Sequence, residues 1–208
     1  MTTNFDKRLF IWLFISFVIA TVIGTFTHEC GHYIVAKILG FDAKISYKST
    51  EWKQSNPNQV VKYSDEFYIL IAGPIETMLT GTIGLFFLFF SRKSFNKVMK
   101  LSVWQWILVF FSLFWLRQTA NLVGSIGLYF ITGNLNNHND EIRLAGLMQL
   151  PIWTISILTG VIGSVVLAVV VFIFIPMNQR ITFIASGFTG GVAGYVFWLI
   201  LFGKFLLS

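Results

Sequence analysis

The five residues His28-Glu29-Cys30-Gly31-His32 spell H-E-x-x-H, an arrangement whose chemistry follows from helical geometry. On a helix, residues four apart share a face, so the two imidazoles can reach one ion. Glu29 stands one step round from His28, close enough to touch a water beside that ion without ligating it. Zinc lowers the pKa of water bound to it to about 7, which makes hydroxide available at neutral pH. Glu29 would accept the water's proton and later deliver it to a leaving amine. Cys30 points to the other side of the helix and reads as a packing residue. It is the only cysteine in the chain, which excludes a disulfide framework and a four-cysteine zinc site.

A catalytic zinc keeps three protein ligands and one open position. The chain has three histidines, and the last, His138, lies in the run Asn137-His138-Asn139-Asp140-Glu141. The candidates for the third ligand are therefore Asp140, Glu141 and His138. Two histidines and a glutamate inside an apolar stretch need a partner, because ionisable groups in membrane spans are costly. A metal supplies one, and the expected stoichiometry is a single Zn²⁺ per chain.

The surrounding elements are those of a membrane protein. Hydrophobic residues make up 55% of the 208 and charged ones 12%, about half the charged fraction of a soluble domain. The apolar residues gather into five segments near the roughly 20 residues that a bilayer span requires: Leu9 to about Leu39, Phe67 to Phe90, Leu101 to about Ile131, Ile152 to Ile175, and Ile181 to about Phe202. The predicted fold class is an all-α integral membrane protein of about five transmembrane helices, a single polytopic domain over residues 1–208. Lys7 and Arg8 before the first apolar stretch resemble a signal peptide. The stretch is too long and lacks a small-residue cleavage site, so it reads as a retained span. The net charge of +6 is scattered through connecting segments, where membrane proteins keep Lys and Arg. It is not a nucleic-acid patch.

At about 1.5 Å per residue, Leu9 to His28 covers about 28 Å, nearly a hydrocarbon thickness. The polar cluster thus lies toward the far face from the N-terminus. Two further crossings return the chain to that face before Asp140, provided Leu101 to Ile131 crosses once as a long or broken helix. Between the first two spans, Ala43 to Ser49 and Gln59 to Ser64 partly alternate around the turn formers Gln54-Ser55-Asn56-Pro57-Asn58. They predict a short membrane-associated β-hairpin, with an irregular loop as the alternative. Arg117, Gln118 and Asn121 share a helical face. Arg117 is expected to pair with Glu76 across helices, the other reading being that the three line the active-site cavity. Gly187, Gly190, Gly191 and Gly194 suit close helix packing.

With these residues in view, the chain resembles the site-2 protease family of intramembrane zinc metalloproteases. The resemblance rests on His28-Glu29-Cys30-Gly31-His32 with Ala36-Lys37-Ile38-Leu39-Gly40, on Ala72-Gly73-Pro74 and on Asp140, over about residues 9 to 150. It implies zinc ligands His28, His32 and Asp140, Glu29 as the catalytic base, and a minimal core without a PDZ domain. The family places Gly after the third ligand and a Pro-containing stretch before it. Here Glu141 follows Asp140, and no proline stands nearby.

The function that follows is hydrolysis of peptide bonds in or near transmembrane segments, by a zinc metalloendopeptidase whose partners are a membrane protein substrate and the lipid bilayer. The extended substrate would be held by strand addition to the 43-to-64 segment. The alternative is a membrane zinc transporter. Zinc transporters also carry H-E-x-x-H on a span, but with more spans and more metal-binding side chains. Lys and Arg divide evenly between the two sides of five crossings. The resemblance puts the metal side in the cytoplasm and the chain in the cytoplasmic membrane of a bacterial cell.

Overall fold

The computed structural model describes residues 5–96, 98–134 and 139–207. The described chain is mostly helical, with one small antiparallel hairpin. Five helices are long and apolar enough to cross a membrane: Lys7–Ile38, Tyr63–Phe90, Val103–Thr132, Thr154–Phe174 and Met177–Leu206. In order, the elements are α1 (Lys7–Ile38), β1 (Asp42–Ile45), β2 (Thr50–Lys53), α2 (Tyr63–Phe90), α3 (Arg92–Phe95), α4 (Val103–Ser112) and α5 (Leu116–Thr132). Then follow α6 (Asp140–Leu147), α7 (Thr154–Val169), α8 (Met177–Tyr195) and α9 (Gly203–Leu206).

Local chemistry sets the ends of these helices. Asp6 caps α1 by accepting from the Arg8 and Leu9 amides, both at 3.1 Å, which satisfies two otherwise orphaned donors. Gly133, at φ +70°, closes α5 as its amide reaches the Tyr129 carbonyl at 2.8 Å, a left-handed cap that favours glycine. The third span is broken as well as long. A 3₁₀ turn at Leu113–Trp115 joins α4 to α5, and Trp115 Nε1 donates to Thr82 Oγ1 at 3.1 Å beside the break. The region expected to cross once, Leu101 to Ile131, forms one candidate span, Val103–Thr132.

The helices meet through glycines. Gly190 and Gly194 of α8 lie against Phe14, Phe17 and Thr21 of α1, and Gly31 of α1 lies against Ala72 of α2. Close backbone approach of this kind is how helices pack where no hydrophobic drive separates them from lipid. Of the expected α8 glycines, Gly187 also faces Phe17, whereas Gly191 meets nothing. The apolar core fills the half of the bundle nearest the N-terminus, where Phe17 packs on Phe110 and Phe183 with ring centres 4.9 and 5.4 Å apart. Outward, Ile11, Ile15, Ile19 and Ile23 of α1 are exposed, an apolar stripe at helical spacing.

The hairpin differs from its expected register. β1 pairs with β2, and Ala43 faces Trp52. The turn is Ser46-Tyr47-Lys48-Ser49, closed by Ser46 N–H to Ser49 O at 2.8 Å. Residues 59–62 form no strand, and α2 has begun by Tyr63, with Asp65 Oδ2 accepting from the Lys62 amide at 3.0 Å. Capping chemistry at 62–65 outcompetes the alternation of Val60, Val61 and Tyr63.

Candidate metal centre

His28 and His32 lie on the inner face of α1, buried, one turn apart. Their ring orientations are fixed from α2. His28 Nδ1 is 2.9 Å from Thr77 Oγ1, whose own proton goes to the Gly73 carbonyl at 2.9 Å. The Thr77 oxygen therefore accepts from His28 Nδ1–H. His32 Nδ1–H donates to the Ile69 carbonyl at 2.6 Å. Both Nδ1 positions carry the proton, so both Nε2 lone pairs point inward.

They point at each other and at Asp140. Nε2 to Nε2 is 3.2 Å, and Asp140 Oδ2 lies 2.9 Å from His28 Nε2 and 3.3 Å from His32 Nε2. With zinc bonds of about 2.0–2.1 Å, adjacent ligand atoms of a tetrahedron stand about 3.3 Å apart. The triangle fits that ion. Three electron-rich atoms at these distances repel one another unless a cation, or an additional proton, sits among them. Oriented imidazoles whose outer nitrogens are bonded are the arrangement that metal-binding histidines adopt.

Asp140 reaches this position as the first residue of α6. Asn139 caps that helix through Oδ1 to the Glu141 amide at 2.9 Å, and Asn139 Nδ2 ties it to Ser125 of α5 at 3.0 Å. Glu141 is turned away from the triangle. Its carboxylate accepts from Asn121 Nδ2 at 3.3 Å, and burial first, then the charge of Asp140, raise its pKa above the usual carboxylate value. Among the two acids considered for the third ligand, Asp140 is the one at the histidines. His138 lies outside the described residues.

Glu29 is buried beside the triangle, with an oxygen within 4.8 Å of the ligand atoms of both histidines. It makes no hydrogen bond to either imidazole among the described residues. It is held instead from the hairpin, where the Thr50 hydroxyl lies 2.8 Å from the Glu29 carbonyl and 3.1 Å from Oε2. Cys30 is not part of the cluster. A cavity of about 520 Å³ opens here, lined by Glu29, His32 and Asp140 with Thr50 and Trp52 of β2 and Arg117 of α5. A larger cavity, about 740 Å³, lies at the other end of the bundle near Asp6 and Arg180 and holds no histidine.

The expected Arg117–Glu76 pair does not form among the described residues. Glu76 accepts from Thr80 at 3.1 Å, Asn121 serves Glu141, and the Gln118 amide is fully buried with no partner. Arg117 lines the cavity instead. Sequence reasoning missed Thr77, the Ile69 carbonyl and Thr50. A hydroxyl or carbonyl that meets a histidine or glutamate from another element carries no local sequence signal. Set against protein-family models, curated proteins and solved structures, the chain finds no match.

Proposed function

We propose that this chain is a site-2-type intramembrane zinc metalloprotease that hydrolyses peptide bonds in or next to transmembrane segments of other proteins. The observation that carries the reading is the convergence of His28 Nε2, His32 Nε2 and Asp140 Oδ2 within 2.9–3.3 Å, with both Nδ1 protons committed outward. These three residues would hold the zinc, and Glu29 is the base beside it. When bound, zinc supplies Lewis acidity, making hydroxide available from water near neutral pH.

This chain's residues do the rest. Glu29 accepts a proton from the attacking water and passes it to the amine as the carbon–nitrogen bond breaks. Thr50 fixes the Glu29 carboxylate so that one oxygen stays turned toward the cavity. A membrane segment is helical and hides its carbonyls, so it must unwind before cleavage. β2 lines the cavity and offers a backbone edge to the unwound peptide. The five apolar helices support insertion in a bilayer. The cytoplasmic membrane of a bacterial cell, with the metal end in the cytoplasm, is the setting the family resemblance implies.

The test is Glu29→Gln in the purified full chain. Zinc content should stay at the wild-type level while cleavage of a membrane protein substrate disappears. Cleavage that survives in Glu29→Gln contradicts the protease reading. So does zinc flux into vesicles with no proteolysis by the wild type, the behaviour of a transporter.

A further inference from the structure

The geometry points to Arg117 as the residue that receives the negative charge developing on the scissile carbonyl oxygen. This deepens the protease reading and rests on it. Arg117, at the start of α5, lines the cavity across from α1 together with Glu29, His32 and Asp140. Its Nε is buried without an acceptor, and its guanidinium makes no hydrogen bond and no ion pair among the described residues. A cation inside an apolar bundle is costly unless it meets an acceptor.

The nearby acids are each engaged elsewhere. Glu29 is held by Thr50, Glu76 by Thr80, Glu141 by Asn121, and Asp140 faces the histidines. The planar fork of Arg117 is therefore available to a ligand oxygen in the cavity. A peptide carbonyl presented to Glu29 supplies one.

The bond changes balance. Water oxygen bonds to the carbonyl carbon as Glu29 takes its proton, and the carbon–oxygen π pair moves onto the carbonyl oxygen. Arg117 donates hydrogen bonds to that oxyanion. The pair then returns as the carbon–nitrogen bond breaks, and the nitrogen leaves with the proton from Glu29. No proton is lost from Arg117 at any point. A donor aimed at such an oxyanion acts more strongly in the transition state than in the ground state, so it shows in kcat rather than in KM.

The experiment compares wild type, Arg117→Ala and Arg117→Lys as zinc-loaded full-length protein. Each is assayed for cleavage of a membrane protein substrate, zinc content and thermal stability. In Arg117→Ala, kcat should fall about 10²- to 10³-fold, with KM little changed and zinc retained. Low concentrations of free guanidinium ion should restore part of the lost rate. In a Glu29→Gln background, removing the Arg117 side chain should weaken binding of a phosphinic peptide, a mimic of the tetrahedral oxyanion, while leaving an uncleaved substrate bound as before. Arg117→Lys keeps a cation and guards against misfolding of the alanine variant. Wild-type kcat in Arg117→Ala overturns the proposal. A loss of zinc or stability that accounts for the lost rate, with no guanidinium rescue in either variant, overturns it too and makes Arg117 a structural countercharge. Absence of cleavage by the wild type itself, with Glu29→Gln no different, is the separate failure of the protease reading.

Discussion

A methyl group at residue 73 would stand 2.8 Å from His28 Nε2 and closer still to His32 Nε2. The residue facing the two imidazoles from α2 is thus a glycine because nothing larger fits. Gly73→Ala should push both imidazoles off their common centre, and metal analysis should find the zinc lost while the helical content by circular dichroism persists. Full zinc occupancy in that variant would mean the ligand atoms sit elsewhere. At this scale the sequence carried much of the site. H-E-x-x-H is local, so the two histidines and the glutamate that the structure gathers could be picked out directly; counting crossings pointed to the segment around Asp140, and the family resemblance to Asp140 within it. The supporting contacts could not be read. Thr77 is 49 residues from His28, and Thr50 is 21 residues from Glu29. Only the fold brings them together.

Among the elements, β2 is the one whose backbone edge would hold the substrate. Ser46 and Ser49 form a hydrogen-bonded pair, so pairing alternates and Lys44↔Glu51 is bonded while Ala43↔Trp52 and Ile45↔Thr50 are not. The Thr50 and Trp52 peptide groups therefore face the free edge of β2. Trp52→Pro removes an edge donor without touching the hairpin's own ladder. It should cut cleavage of a membrane substrate strongly, and Trp52→Ala should cost less, with zinc content unchanged in both. Proline at Val60, exposed and outside the strand, should be mild. Equal effects of Pro and Ala at Trp52 would leave β2 as a cover over the site and no more. The hairpin was legible as turn formers among alternating residues, but its register was not. Residues 59–64 alternate as convincingly as 50–53, and the choice was made at the start of α2, where the Asp65 carboxylate accepts from the Lys62 amide.

On the scale of the whole molecule, the metal would join parts that otherwise touch little. α6 packs on α2 and α7, with Tyr63 bonded to the Leu147 carbonyl and Arg143 3.6 Å from Glu66. Asp140 is its link to α1 through the histidines. Zinc that binds only the folded chain stabilises it by about 2.7 kcal/mol at a hundredfold excess over Kd. Chelation should therefore lower the Tm, and hydrogen exchange should rise first in residues 139–147 while the glycine-packed α1–α8 contact stays protected. A Tm indifferent to chelator would argue against a shared ion. The five apolar segments were legible because length and hydropathy alone dictate helices long and apolar enough to cross a bilayer. The glycine contacts between helices were only partly so, since Gly190 and Gly191 look alike in sequence and only one faces α1.

The most direct test of the metal centre is zinc K-edge X-ray absorption on the purified full chain. A zinc held by His28, His32 and Asp140 should show two imidazole nitrogens with oxygen ligands at about 2.0–2.1 Å and no sulfur. The spectrum should be preserved in Glu29→Gln and altered in Asp140→Ala. A sulfur shell at about 2.3 Å, a spectrum unmoved by Asp140→Ala, or protein that cleaves its substrate without any zinc would contradict it.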